Sequence, residues 1–247
     1  MIPKIIHYCW LSDDPIPQNL QNCMNSWKKY LPDYEFKLWN FDSFDINSSK
    51  WVQEAFDNKK YAFAADYIRL YALYHFGGIY MDMDVEVLKN IDQYLQLDTM
   101  IGWQDEYEGL EVAAFGVKKN EKWIEDCLAY YEGRHFKKND GSFDTFTLPL
   151  IIEECLKKNG YKLETISSLN DAIKIQNEGE IPVFEPDFFS PKSFKTGVVK
   201  KTTRTVMIHH FSASWKNWKE RLLNKIFGLR ISNAIIRVKA KISGFIK

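Results

Sequence analysis

The sequence predicts an α/β fold in which buried strands alternate with helices around one sheet. Residues 4–10 are short, β-branched and aromatic, and they end at a polar turn over residues 12–15, as a buried strand would. A helix is predicted over residues 19–30, and residues 34–39 alternate apolar and polar side chains as a second strand does. Sheets of this kind bind ligands beyond the carboxyl ends of their strands, where Trp10 would lie.

The charge balance of the chain excludes a globally basic nucleic-acid binder, because 33 basic residues meet 33 acidic ones. The two signs are separated along the chain: residues 216–247 carry nine basic side chains and one acidic one, a net charge of +8, which leaves −8 on residues 1–215. The 15% aromatic content also supplies flat faces on which sugars and bases can stack. Because the basic and acidic residues balance, we expect no nucleic-acid partner.

The cysteines and the N-terminus predict a cytoplasmic location. Four scattered cysteines form no Cys-x-x-Cys pair, and the first residues show no export signal. No run approaches the 18 apolar residues of a membrane-spanning helix. The thiols are expected to be reduced.

A strongly apolar helix is predicted over residues 62–74, and Gly77-Gly78 would end it and turn the chain into the next strand. Asp66 and Arg69 lie three residues apart, on one face of that helix. An ordinary ion pair and a functional pair both fit this spacing.

Residues 79–87 are predicted to form one strand whose side chains alternate between two faces. The apolar face would consist of Ile79, Met81, Met83, Val85 and Val87. The opposite face would carry Tyr80, Asp82, Asp84 and Glu86. Neighbouring carboxylates repel each other unless a cation or hydrogen bonds offset their charge. Asp82 and Asp84 are therefore candidates for holding Mg²⁺ or Mn²⁺ beside a phosphate, although a solvated turn can have the same sequence.

Three motifs that occur in order resemble a known family of enzymes. They are Ile-Pro-Lys-Ile-Ile-His-Tyr-Cys-Trp at 2–10, Ala-Asp-Tyr-Ile-Arg at 65–69 and Gly-Gly-Ile-Tyr-Met-Asp-Met-Asp at 77–84. They are similar to the signature of glycosyltransferase family 32, which includes bacterial capsular polysaccharide enzymes and fungal mannosyltransferases and is related to the clostridial glucosylating toxins. Ile-His-His-Phe-Ser-Ala-Ser-Trp-Lys at 208–216 is similar to the closing motif of that family.

The resemblance implies a GT-A fold over residues 1–215, which is a Rossmann-like mixed sheet flanked by helices that binds a nucleotide-sugar. It also implies Mn²⁺ or Mg²⁺ as cofactor and retention of configuration at the transferred sugar. The implied donor-binding residues are Tyr8, Trp10, Asp66, Arg69, Tyr80, Asp82, Ser214 and Trp215. The implied metal ligands are Asp84, Asp82 and one of His209 and His210, with His209 favoured.

Within that implied site, Trp10 would stack on the base, Asp84 would hold the metal, and Ser214 with Trp215 would cover the phosphates. Asp82, Asp84 and Arg69 would support the chemical step, since stabilising a diphosphate leaving group requires positive charge. Each motif taken alone also fits a purely structural role.

The acceptor would bind to residues 101–200, where the sequence is least informative. The polar or aromatic candidates there are Trp103, Gln104, Asp105, Glu108, Glu111 and Asp144, of which we retain Gln104, Asp105 and Asp144 as acceptor residues. No residue stands out as a nucleophile, so the sequence favours front-face attack, in which the leaving phosphate helps to deprotonate the acceptor, over double displacement.

Residues 216–247 are predicted to form a basic amphipathic helical appendage. Its apolar stripe consists of Ile231, Ile235, Val238, Ile242 and Phe245, interleaved with Arg237, Lys239 and Lys241. Such a helix is typical of proteins that lie on an anionic membrane surface. Packing on the acidic body of the chain or on a second subunit, as in a homodimer, remains an alternative.

The leading prediction is a metal-dependent retaining hexosyltransferase of surface polysaccharide synthesis, which acts on a glycan or lipid-linked acceptor at the inner face of the plasma membrane. The donor expected from the capsular enzymes is UDP-galactose. A nucleotidyl or phosphoryl transferase could also use paired aspartates, although the sequence contains no Gly-x-x-x-x-Gly-Lys-[Ser/Thr] loop. The third hypothesis is a non-enzymatic adaptor that binds a membrane.

Overall fold

The computed structural model describes residues 1–105 and 109–212. Met1–His210 form one compact unit, and Phe211–Lys247 belong to a second. The predicted helical tail and the predicted boundary at residue 215 lie outside the described residues, as do Glu108, Ser214 and Trp215.

Strands and helices alternate along much of the described chain. The strands are β1 Ile5–Cys9, β2 Glu35–Trp39, β3 Gly78–Met81, β4 Val85–Val87, β5 Thr99–Gly102, β6 Ala114–Val117, β7 Leu163–Ile166, β8 Ile181–Phe184 and β9 Met207–His209. The helices are α1 Gln18–Tyr30, α2 Lys50–Asp57, α3 Tyr61–Phe76, α4 Lys122–Ala129, α5 Leu148–Lys158, α6 Leu169–Asn177 and α7 Pro186–Phe189, with short 3-10 helices at Ile46–Ser48 and Asp92–Tyr94.

Seven strands form one mixed sheet in the order β2-β1-β3-β6-β5-β8-β7. Neighbouring strands pair in parallel except β6, which is antiparallel to both β3 and β5. The six other strands therefore run in one direction, and their carboxyl ends meet at one edge of the sheet, called here the carboxyl edge. This architecture confirms the predicted α/β fold class.

The side chains on the two faces of the sheet pack into two separate hydrophobic cores, because successive strand side chains point to opposite faces. Ile79 and Met81 of β3 belong to the core that contains Trp27 of α1. Tyr80, between them, belongs to the core that contains Ile68 of α3. Helices thus cover both faces, which leaves the carboxyl edge as the place where polar loop residues can collect.

The elements predicted over the first 78 residues are confirmed. The first strand and the second strand form β1 and β2, and the two predicted helices form α1 and α3. Gly77 ends α3 with a positive φ of 66°, and its N–H donates to the carbonyl of Leu73.

The prediction of one continuous strand over residues 79–87 is wrong. The chain leaves the sheet after β3, turns at residues 82–84, where the N–H of Val85 donates to the carbonyl of Asp82, and enters β4. β4 pairs with β9 in a separate two-stranded sheet. Met81 before the turn, Met83 within it and Val85 after it are all buried, so the apolar alternation of the sequence continues through the turn and hides it.

His7 of the first motif joins three elements in the interior of the protein. Its Nε2 donates to the carbonyl of Gly77 at 2.7 Å, and its Nδ1 accepts from the indole N–H of Trp39 at 3.1 Å. Burial lowers the pKa of His7 to about 4, so the ring is neutral and both nitrogens are satisfied. The motif histidine therefore ties β1 to β2 and to the end of α3.

None of the helices in the described part of the chain combines the length and apolar character needed to cross a membrane.

Replacing Gly77 by alanine tests how closely the turn after α3 is packed. A Cβ at Gly77 would lie 2.6 Å from the backbone nitrogen of Lys119 and 2.9 Å from Cδ of Pro3. Gly133 has nearly the same φ, 65° against 66°, but a Cβ there would meet nothing within 4 Å. We expect Gly77→Ala to lower the free energy of unfolding by about 3 kcal/mol in urea titrations, and Gly133→Ala by about 1 kcal/mol. Equal losses would contradict this packing.

Candidate functional site

Two neighbouring strands bring the first and third motifs together at the carboxyl edge. β1 and β3 pair in parallel, so Trp10, which follows β1, and Asp82, which follows β3, leave the sheet side by side. Trp10 is partly exposed, and its indole N–H donates to the carbonyl of Asp14 at 2.9 Å. Tyr8 points to the core instead, where its ring packs edge-to-face on Trp27 at 5.6 Å.

Arg69 of α3 is the central cation of this edge. Its side chain is only 7% exposed and lies 3.1 Å from the carboxylate of Asp66 and 3.5 Å from that of Asp82. It also donates to the carbonyl of Val112 at 2.7 Å, and its guanidinium carbon lies 4.5 Å from the centre of the Tyr80 ring. The second and third motifs are therefore joined by one buried guanidinium.

The carboxylates around Arg69 outnumber it. Burial raises the pKa of Asp66 to about 6 even though Arg69 opposes the shift. The pKa of Asp82 is also raised, first by burial and then by the charge of Asp84, again against Arg69. The hydroxyl of Tyr80 donates to Asp82 at 3.0 Å. The carboxylates thus retain unfavourable charge that a further cation would relieve.

A second cluster adjoins this one at the turn after β3. Asp82, Asp84 and His209 each offer one ligand atom, and these atoms all lie within 4.8 Å of one another. β4 pairs with β9 so that Val85 lies opposite His209, which carries a residue from near the end of the described chain to the Asp-x-Asp turn. Nε2 of His209 lies 3.5 Å from Asp84.

These residues fit a divalent cation. In octahedral coordination at about 2.1 Å, adjacent ligands are about 3 Å apart and opposite ligands about 4.2 Å apart, which is close to the spacing of the cluster. Two carboxylates suit a hard divalent cation such as Mg²⁺ or Mn²⁺. The excess negative charge around Arg69 favours a cation at the same place.

Glu111 supports His209 from behind. Its side chain is fully buried, one oxygen accepts from the N–H of Ala113 at 2.8 Å, and both oxygens lie 3.3 Å from Nδ1 of His209. Burial lowers the pKa of His209, but Glu111, Asp84 and Asp82 together raise it to about 9. The arrangement resembles the carboxylate–histidine pairs that orient an imidazole toward a metal.

His210 points elsewhere. Nε2 of its ring lies 2.9 Å from the carboxylate of Glu86, while its backbone N–H donates to the carbonyl of Asp84. Consecutive residues at the end of a strand face opposite sides, so only one member of the doublet can face the Asp-x-Asp carboxylates. The residue that does so is His209.

The structure separates the predicted acceptor residues. Gln104 and Asp105 follow β5 at the carboxyl edge, and Asp105 lines a cavity of about 340 Å³ together with Glu185 and Lys200. Asp144 lies between α4 and α5, accepts from the N–H of Phe146, and does not line that cavity. One oxygen of Asp105 is buried without a hydrogen-bond partner.

The sequence predicted Glu111 only as a possible acceptor residue, whereas in the structure Glu111 lies against His209. The sequence does contain a signal that Glu111 is buried and paired. Glu111 is the single charged residue in an apolar run over residues 110–117, and a lone carboxylate among buried side chains needs a partner. The sequence did not indicate that the partner is His209, 98 residues further along the chain.

Arg69 offers a test of the buried cluster. Arg69→Met leaves Asp66 and Asp82 without their shared cation, and we expect it to lower the free energy of unfolding by about 3 to 5 kcal/mol at neutral pH. Arg204 is the matched control, since it also contacts two carboxylates, those of Glu185 and Asp187, but its side chain is 38% exposed. Arg204→Met should cost about 1 kcal/mol in the same urea titrations. Similar losses for the two variants would show that Arg69 does not organise a buried cluster.

Comparison with known proteins finds similarity to glycosyltransferases over part of this chain. A family model described as glycosyltransferase sugar-binding region containing DXD motif matches residues 17–107. A solved structure described as PaToxG glycosyltransferase is 21% identical, with a TM-score of 0.47, over 64% of this chain and 70% of that one.

Two curated relatives come from yeasts. Inositol phosphoceramide mannosyltransferase 1 of Schizosaccharomyces pombe is 35% identical over 40% of this chain and 33% of its own length. Mannosyl phosphorylinositol ceramide synthase CSH1 of Saccharomyces cerevisiae is 27% identical over 77% of this chain and 51% of its own length. The chain thus spans about a third to a half of the length of these relatives. Residues 17–107 match the sugar-binding region of glycosyltransferases that carry the Asp-x-Asp motif, which confirms the predicted resemblance.

Proposed function

We propose that this protein is a metal-dependent glycosyltransferase that moves a hexose from a nucleotide-sugar to an acceptor hydroxyl. The observation that carries the proposal is the cluster of Asp82, Asp84 and His209 next to the buried Arg69. The first three of these side chains fit a cation, and the cluster lies at the carboxyl edge, where sheets of this kind bind ligands. The family match at residues 17–107 supports sugar transfer over other uses of paired aspartates.

Bond cleavage at the donor requires stabilisation of a nucleoside diphosphate. A divalent cation, when bound, supplies positive charge to that diphosphate. Asp84 would hold it from the buried side of the turn, Asp82 from the more exposed side, and His209 through Nε2. Glu111 keeps the imidazole of His209 in this orientation.

The remaining site residues would position the donor. The partly exposed indole of Trp10 offers a flat face for the base, and its own N–H is already engaged by the loop that follows β1. Asp66 and Asp82 present carboxylate oxygens to sugar hydroxyls, and Arg69 holds both carboxylates in place. We propose retention of configuration by front-face attack, in which the leaving phosphate takes the proton of the acceptor. A glycosyl-enzyme adduct trapped on a protein carboxylate would contradict this mechanism.

The hexose and acceptor are proposed from the relatives. Resemblance to capsular enzymes led us to expect UDP-galactose and a role in surface polysaccharide synthesis. The two yeast relatives, by contrast, are named as an inositol phosphoceramide mannosyltransferase and a mannosyl phosphorylinositol ceramide synthase. We therefore take mannose as the first sugar to test, with GDP-mannose and UDP-galactose compared directly, and a lipid-linked hydroxyl as the first acceptor.

The membrane-binding tail at residues 216–247, a cytoplasmic location at the inner face of the plasma membrane and a homodimer stay predictions. So does the covering of the phosphates by Ser214 and Trp215. None of these is needed for the assignment of donor and metal residues.

Asp84→Asn tests the assigned cation site. We expect UDP or GDP with Mn²⁺ to raise the melting temperature of the parent protein, because a ligand that binds only the folded state stabilises it. Asp84→Asn should lose most of this rise, because it removes the charge of the most buried carboxylate in the cluster. Glu86→Gln is the matched control. It alters the acid two residues further on, which faces His210, and should keep the rise.

A rise that Asp84→Asn retains and Glu86→Gln loses would reject this cation site in favour of His210. A nucleotide-dependent rise without sugar transfer from any donor would favour a nucleotidyl or phosphoryl transferase. A parent protein that shows no rise with either nucleotide would favour the adaptor.

Glu111→Gln tests the support of His209. The substitution preserves shape but removes the charge that faces Nδ1, and such changes behind a metal ligand typically weaken metal binding by about 10- to 100-fold. We expect the Mn²⁺ concentration at half of the nucleotide-dependent stabilisation to rise by that factor. An unchanged midpoint in a variant that folds normally would show that Glu111 only fills the core.

A further inference from the structure

Residues 191–200 form a hairpin on the surface of the described part of the chain. It follows α7 and precedes β9, and Lys192 pairs with Val199 across it. The N–H of Ser193 donates to the carbonyl of Val198, and the N–H of Lys200 donates to that of Pro191, both at 2.8 Å. Pro191 and Ser193 are buried, so the base of the hairpin is anchored in the protein.

The tip of this hairpin exposes apolar side chains. The large apolar side chains that are exposed in the described residues are Met1, Leu150, Phe194, Val198 and Val199, and three of these five belong to the hairpin. Phe194 is 50% exposed and Val198 55% exposed. Exposed apolar residues that cluster on a fixed turn indicate a contact surface, whereas single ones are ordinary.

Basic residues surround that apolar tip. The chain contains no aspartate or glutamate between residues 188 and 212, and its lysines and arginine there are Lys192, Lys195, Lys200, Lys201 and Arg204. Lys195, Lys200 and Lys201 are exposed. Lys200 lies 3.4 Å from Asp105 but remains 61% exposed, so this pairing costs little to break. Arg204 is engaged by Asp187 and Glu185 and is not part of the tip.

We propose that the 191–200 hairpin docks on an anionic lipid surface. Phe194, Val198 and Val199 would enter the boundary between headgroups and acyl chains, and the lysines would meet anionic headgroups. Charge selects this occupant. The tip combines apolar side chains with lysines and carries no carboxylate, which is complementary to an anionic surface, whereas a second copy of the hairpin carries the same lysines and would be repelled.

Docking in this way would bring the lipid close to the cavity that contains the predicted acceptor residue Asp105. Pro191 and Lys200, at the base of the hairpin, line the 340 Å³ cavity that also contains Asp105 and lies beyond the ends of β5 and β8. The cavity would then open close to the lipid surface. A role of this cavity in binding a lipid-linked acceptor rests on the proposed function, whereas the docking itself does not.

The test is co-sedimentation of the full chain with vesicles. Phosphatidylcholine vesicles containing an equal part of phosphatidylglycerol should bind the protein, and pure phosphatidylcholine vesicles should bind it much less. Phe194→Ser combined with Val198→Ser should weaken binding by about tenfold or more. Lys195→Gln combined with Lys201→Gln should weaken it by about 25-fold, since each lysine at the surface contributes about fivefold.

Matched controls alter the same residue types elsewhere on the surface. Leu150→Ser removes an exposed apolar side chain of α5, and Lys157→Gln combined with Lys158→Gln removes two exposed lysines of the same helix. Both should bind the anionic vesicles within about twofold of the parent. Asp84→Asn should also bind like the parent, so a failure of lipid docking is distinguishable from a failure of the proposed enzymatic function.

Hydrogen exchange separates the hairpin from the basic tail. Anionic vesicles should slow the exchange of amides at residues 194–203. The proposal is overturned if only amides in residues 216–247 are protected, if the hairpin variants bind like the parent, or if the parent binds neither kind of vesicle.

Discussion

A single buried guanidinium organises the candidate site. Arg69 extends from α3 toward the end of β3 and the segment before β6. It contacts Asp66 of its own helix, Asp82 after β3 and the carbonyl of Val112 before β6. A cation removed from water in this way is stable only with its anions in place, and those anions are held just as firmly by the cation. The position of Asp82, and with it the turn that carries Asp84, therefore depends on Arg69.

The chain completes this arrangement with residues that are remote in sequence. β9 returns to β4 and sets His209 beside Asp84, while Glu111 reaches the same imidazole from the segment before β6. Four carboxylates surround the two cationic side chains of this site, and burial raises the pKa of Asp66 to about 6 even though Arg69 opposes the shift. A site with this surplus of carboxylates suits a cation, and it lies at the carboxyl edge, where sheets of this kind bind ligands.

Local patterns predicted much of this structure. β1, α1, β2 and α3 could be predicted because strand alternation, helix periodicity and a glycine pair are properties of neighbouring residues. The break after β3 could not, because Met83 and Val85 continue the apolar alternation through a turn. Which histidine of the doublet faces Asp84 depends on the register of β9 against β4, and pairing between distant strands leaves no mark in either segment alone. The partnership of Glu111 with His209 was hidden for the same reason.

The central claim is that Asp82, Asp84 and His209 hold a divalent cation beside a nucleotide. The most direct measurement is a crystal structure of the protein with Mn²⁺ and UDP or GDP, in which anomalous scattering locates the metal. We expect one manganese peak among those three side chains, in contact with the diphosphate. A manganese peak at Glu86 and His210, or a bound diphosphate with no metal among the three residues, would contradict it.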